Sequence, residues 1–175
     1  LPLERGVRVI VAHCASLGQN PDLDVPGERK PWVDNFDLFA RLMDEEKWNG
    51  LLFGEVSAMC QANRAGRALE EVLRRSEWHP RLLNGSDYPL PAINVVVQTK
   101  ALVQRGFLTR GERQALNALD RHNPLMFDFV LKRTLKVVRD GVEHRFSPEV
   151  FTARGAFPRL KPAPGSPTPA DLDAA

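Results

Sequence analysis

Arg81-Leu-Leu-Asn-Gly-Ser-Asp-Tyr-Pro-Leu-Pro91 is the stretch on which the reading of this chain turns. An apolar pair, Leu82-Leu83, runs into a small polar turn, and the turn presents one carboxylate, Asp87. Tyr88-Pro89 closes it. A short buried strand that ends in Gly85-Ser86-Asp87 places a single acid at the carboxyl end of a sheet, where α/β proteins bind their ligands. Alternation puts Leu83, Gly85 and Asp87 on one face. Gly85 admits a close neighbour, backbone or ligand. Asp87 is therefore the first candidate for a metal ligand or a proton shuttle.

Upstream, Val7 to Cys14 is short, β-branched and almost continuously apolar, as in a strand buried on both faces of a parallel sheet. Alternation groups Val7, Val9, Val11 and His13, with His13 at the carboxyl end, so His13 is the second candidate. Ala15 to Pro31 reads as a long polar loop leaving that same end, either a substrate-contacting lid or a merely variable connection. Trp32 to Lys47 is a helix capped by Asp34 or Asn35, with Phe36, Phe39, Ala40 and Met43 as its apolar face. Leu51 to Met59 is a second strand that carries Glu55 among apolar neighbours, where a carboxylate needs an ion pair or a polar mouth. Asn63 to Trp78 is a helix with a solvated charged face. His79 lies at the amino end of the third strand and reads as structural or exposed.

Downstream, Ala92 to Arg105 reads as a helix stopped by Gly106. Thr109 and Glu112 form a capping box for a helix to about Arg121. Asn123-Pro124 starts an apolar helix over residues 125–135, expected on the outside of the sheet. Asp140-Gly141 is the turn of a small hairpin, and residues 147–151 form one helical turn. From Pro158 the Pro, Ala, Gly and Ser content predicts a disordered tail.

The chain has 175 residues, enough for one domain or a large part of one. Its net charge is +2 with basic residues interleaved among acids, which argues against a nucleic-acid partner. Cys14 and Cys60 lack CxxC spacing and read as free thiols of a reducing compartment. No apolar run is long enough to span a bilayer, and the start lacks the pattern of a secretory signal, so the expected location is cytoplasmic without a membrane partner. The first residue is Leu rather than Met and a strand follows at once, so an upstream part is expected.

Strand and helix alternate three times, which predicts an α/β fold with a parallel sheet. Three strands alone leave two apolar edges, while a closed (β/α)8 barrel takes ~250 residues. The expected architecture is the last three βα units of such a barrel over residues 1–136, with a C-terminal extension over 137–175.

The combination of residues 9–13 ending in Ala-His, the strand Leu51 to Ser57, Gly85-Ser-Asp-Tyr-Pro89 and the helices reaching Asn123-Pro124 resembles the C-terminal part of the amidohydrolase superfamily. Its amidohydrolase-related branch, which includes aminocarboxymuconate-semialdehyde decarboxylase, is the nearest in pattern. The resemblance implies a metal-dependent hydrolase that cleaves a C–N or C–O bond of a small molecule through metal-activated water. It implies a divalent metal, zinc in most members, with Asp87 as metal ligand and proton acceptor. His13 would hold a second metal, the metal-bound water or the substrate, while Glu55 and Ser57 fall on a strand without a fixed ligand. The family's His-x-His pair has no counterpart in this sequence. Non-oxidative decarboxylation, and a truncated barrel that serves as an interaction module, are the alternatives. An unrelated α/β binding protein, with His13 and Asp87 incidental, is a further one. The missing barrel half or a second copy of the chain is the expected partner besides the substrate.

Overall fold

The computed structural model describes residues 2–93, 95–152 and 155–157. The tail from Pro158, expected to be disordered, lies outside them. In chain order the elements are β1 (Val9–Val11), β2 (Gln19–Pro21), β3 (Trp32–Asp34), α1 (Asn35–Met43), β4 (Leu52–Glu55), α2 (Arg67–Arg74), β5 (Leu82–Leu83), α3 (Thr99–Gln104), α4 (Arg110–Asp120), α5 (Pro124–Thr134), β6 (Val137–Arg139) and β7 (Val142–His144). The fold is mixed α/β. Its main sheet is parallel, in the order β1-β4-β5, and is open rather than closed into a barrel.

The register shows how the two faces differ. Val9 pairs with Leu52 and Val11 with Gly54, and Gly54 pairs with Leu82. That face meets Phe39 and Met43 of α1 and Leu69, Val72 and Leu73 of α2 in the main core. Fully burying each such side chain contributes about 1.5–3 kcal/mol. The helix side is packed so closely that a Cβ on Gly54 would stand 2.7 Å from the Phe39 ring and 2.9 Å from Cys14 Sγ. The other face carries Ile10, Phe53, Glu55 and Leu83, and among the described residues Phe53, Leu83 and Ala156 form a small cluster there. Among the described residues β1 is an edge strand; Val7, just before it, and Ile10, on its second face, are 51% and 42% exposed.

Three expectations are corrected. Residues 15–31 are not all loop, because β2 pairs antiparallel with β3. The hairpin is tied to α1 by Arg41, which grips the buried Asp22 through Nη1 and Nη2 at 2.8 and 2.9 Å. The helix expected over 92–105 shrinks to α3. The run Val95-Val96-Val97 resists helical rotamers, and the Val96 carbonyl is instead bonded by the Ala62 amide. α5 packs mainly against α4 and the Leu90–Ala92 turn rather than flat on the sheet.

Local signals are realised as the sequence predicts. Asn123 caps α5 through Met126 N, with Pro124 in the first turn. Asp140 and Gly141 both take positive φ, 53° and 77°, as a two-residue hairpin turn requires. Residues 148–151 form a short 3-10 turn. Both cysteines are free and buried, and burial pushes their thiols up, that of Cys60 to about 12. His79 is buried and structural: Nε2 meets Val72 O and Nδ1 accepts from Ser147 N, and burial holds its pKa below the ordinary value.

The capping box of α4 forms in full, and Lys136 adds a bond to Glu112. Burial alone would raise the Glu112 carboxyl. The Thr109 amide, Lys136 and the Thr109 side chain outweigh it and bring the pKa to about 2. The depressed value means that this stabilisation is present above about pH 4.5 and is lost as pH falls through about 2. Glu112→Gln should therefore cost about 0.5–2 kcal/mol at pH 7, in the range of a lost cap. Urea midpoints should show the gap to the parent chain narrowing steadily below pH 4.5. A gap that stays constant with pH would contradict this assignment.

Candidate functional site

The carboxyl ends of the three strands bring four polar side chains together. β1 stops at Val11, and His13, Cys14 and Ala15 follow with φ of 54°, 49° and 51°. Left-handed backbone costs non-glycine residues roughly 1–2 kcal/mol each. What it achieves is a change of face. Had the strand run on, His13 would have joined Val9 and Val11 on the helix side. The left-handed turn gives that side to Cys14, which is fully buried there, and turns the imidazole toward Glu55 on the other face. The expectation that His13 shares a face with Val9 and Val11 is corrected accordingly.

Asp87 reaches the same place from β5. It too is left-handed, with φ 54°, and its carbonyl accepts from Leu90 N in the turn that follows. His13 Nε2 stands 3.8 Å from Asp87 Oδ2, with the two side chains 24% and 32% exposed. The two residues picked from the sequence thus face each other on one rim, half open to solvent.

Glu55 organises the other side of the ring. Its carboxylate accepts from Ser57 N at 2.5 Å, from Ser57 Oγ at 2.6 Å and from His13 N at 3.4 Å. His13 Nδ1 lies 2.9 Å from Ser57 Oγ and 3.4 Å from Glu55 Oε2. With the Ser57 hydroxyl donating to Glu55, its oxygen accepts from Nδ1–H. That fixes the tautomer and leaves a lone pair on Nε2. Gly85 makes room, since a Cβ there would fall 2.6 Å from Glu55 Oε1.

Beneath the turn lies a buried ion pair. Lys132 of α5 is 0% exposed and donates to Asp128 at 2.7 Å and to the Gly85 carbonyl at 2.5 Å. Its ammonium ties α5 to the backbone of the Gly85–Asp87 turn.

Compared with protein-family models, curated proteins and solved structures, the chain matches none.

The donor chemistry fits two positions of a metal shell. His13 offers Nε2 while its Nδ1 is held by a hydroxyl and a carboxylate, the arrangement that orients metal-bound histidines. Asp87 offers an oxygen. Zinc takes three or four protein ligands in most sites, and among the described residues no group of three or more His, Cys, Asp or Glu is placed to hold an ion. Glu55 is spent on Ser57 and His13.

Sequence reasoning left Glu55 between an ion pair and a polar mouth, and the structure places it in the polar mouth, hydrogen-bonded by Ser57 and the His13 amide. It missed Ser57 as a partner of His13, and Lys132 with Asp128 altogether. The available signal for the last two was their i, i+4 spacing within an otherwise apolar helix face. Among the described residues no helix is long and apolar enough to cross a membrane.

Proposed function

We propose that the chain is the C-terminal part of a metal-dependent hydrolase of the amidohydrolase type, made of the last three βα units of a (β/α)8 barrel. The observation that carries this reading is the His13–Asp87 pair. Nε2 of His13, whose Nδ1 is engaged by Ser57, and a carboxylate oxygen of Asp87 face each other at 3.8 Å, an arrangement that favours a cation between them. The unpaired edge of β1 among the described residues supports the barrel assignment, because a further parallel strand would pair with it.

A divalent metal, zinc by the resemblance, would supply activated water at neutral pH. His13 and Asp87 would provide two of its ligands, and upstream strands would supply the rest. Asp87 is exposed enough to take a proton and pass it to a leaving group, as base and then acid. Glu55 and Ser57 keep His13 in the tautomer that directs Nε2 at the rim. The substrate is a small molecule with a carbonyl or imine carbon. Decarboxylation of a carboxylated ring could use the same rim, and product analysis separates the two.

Cobalt(II) titration tests the assignment. The chain should bind one ion weakly, with a visible absorption band, and His13→Ala and Asp87→Ala should each abolish the band while circular dichroism stays that of the parent. Equal binding by the Asp87→Ala chain, or no binding by the parent, would overturn it.

A further inference from the structure

A second cleft opens on the same rim, between the segment after β1 and the segment after β4. It has a volume of about 300 Å³ and is bounded by Ser16 to Gly18 on one side and Ala62 to Ala68 on the other, with Arg105 completing it. That volume suits a small organic ligand.

Its chemistry is that of an anion site. Three guanidinium groups line it, those of Arg64, Arg67 and Arg105, against one carboxylate, Asp34. Arg67 is neutralised by Asp34, Asp37 and Glu71. Arg64 and Arg105 pair with no carboxylate among the described residues. Arg64 donates from Nη1 to Ser16 Oγ at 3.2 Å, and its Nε is buried without a hydrogen-bond partner. A buried donor left unbonded is destabilising, and a ligand oxygen would relieve it. Arg105 donates to the Ala65 carbonyl, which holds it at the cleft. The amino end of α2 also lies there, with Gly66 at its N-cap and no side chain capping it. Free amides and the positive end of a helix dipole favour an anion.

We propose that this cleft is an oxyanion-binding subsite, in which Arg64 and Arg105 hold a carboxylate or phosphate group of a small molecule and the first amides of α2 assist. The two chemistries share charge and acceptor oxygens, and differ in being planar or tetrahedral. Ser16 lies three residues beyond His13, so an anion held here sits next to the rim described above. The subsite stands on its own residues and requires no metal at His13 and Asp87.

Isothermal titration and amide chemical-shift mapping with inorganic phosphate, and separately with succinate, test it. The parent chain should saturate with one anion, with shifts concentrated at Ser16 to Gly18 and Ala62 to Ala68. Arg64→Gln should weaken binding at least tenfold, Arg64→Lys less, and Arg110→Gln not at all. Stronger binding of phosphate or of succinate identifies the group. Asp87→Ala should leave anion affinity unchanged, so failure of the metal site and failure of this subsite read out separately. Should Arg64→Gln not fold, Arg105→Lys and Ser16→Ala decide, each expected to weaken binding severalfold. Non-saturable binding, or saturable binding unaffected by these substitutions, would refute the subsite.

Discussion

Lys132→Met should destabilise the chain by about 3–5 kcal/mol, the cost of breaking a buried ion pair by removing one partner. Lys132 is 0% exposed and its ammonium is bound by Asp128 and by the Gly85 carbonyl. Without it the Asp128 carboxylate stays buried and unpaired, and the Gly85 carbonyl loses a donor. Burial already raises the Asp128 pKa, Lys132 opposes the rise, and Glu55 and Asp87 add to it. In the variant the opposing charge is gone, so Asp128 takes up a proton more readily. A folded pKa above the unfolded value contributes stability that is full at low pH and fades as pH rises through it. The deficit of Lys132→Met should therefore be larger at pH 8 than at pH 5. Asp128→Leu combined with Lys132→Met should recover most of the loss, since a buried pair replaced by apolar groups is often neutral. Urea unfolding followed by circular dichroism measures all three chains. A loss below about 1 kcal/mol, or a double variant no better than the single one, would show that the pair does not carry this load.

The same pair marks where sequence reasoning stops. Signals contained within a few residues were legible: the Thr109–Glu112 box, Asn123-Pro124 and the Asp140-Gly141 turn each fix their own backbone, and each formed. The parallel order of the strands was legible too, because short apolar runs alternate with helices of opposite demand. Strand lengths were not. An apolar run from Val7 to Cys14 pairs only at Val9–Val11, since pairing ends where the backbone turns left-handed at His13. Alternation rules assume extended backbone, so they put His13 on the wrong face, although its place at the strand's carboxyl end was read correctly. Lys132 and Asp128 looked like two charges on an apolar helix. Only the fold shows that they lie under Gly85, 47 residues upstream of Lys132. The pairing of β2 with β3 was equally hidden, because Gln19–Pro21 has neither β-branched residues nor alternation and is held by its partner alone.

Glu55→Gln tests the link between the scaffold and the rim. The carboxylate accepts three hydrogen bonds, from Ser57 N, Ser57 Oγ and His13 N, and faces His13 Nδ1. Glutamine has one acceptor oxygen in place of two, and its amide N–H groups would confront donors. Either Ser57 N or the Ser57–His13 side then loses its acceptor. If Ser57 rotates to accept from the new amide, its hydroxyl donates to Nδ1, the proton moves to Nε2, and the ring presents a donor where a lone pair stood. Removing the partner that orients a metal-binding histidine costs about 10–100-fold in metal affinity. Cobalt(II) titration of Glu55→Gln should show a fall of that size at neutral pH, with the band of the remaining complex unchanged in position. Ser57→Ala should fall less, because Glu55 Oε2 is 3.4 Å from Nδ1 and can take over the bond. A purely structural Glu55 predicts a different pair of results: lower stability to urea in both variants, and cobalt affinity equal to that of the parent chain. The ordering of the two variants in affinity, rather than the stability of either, therefore decides whether Glu55 positions His13.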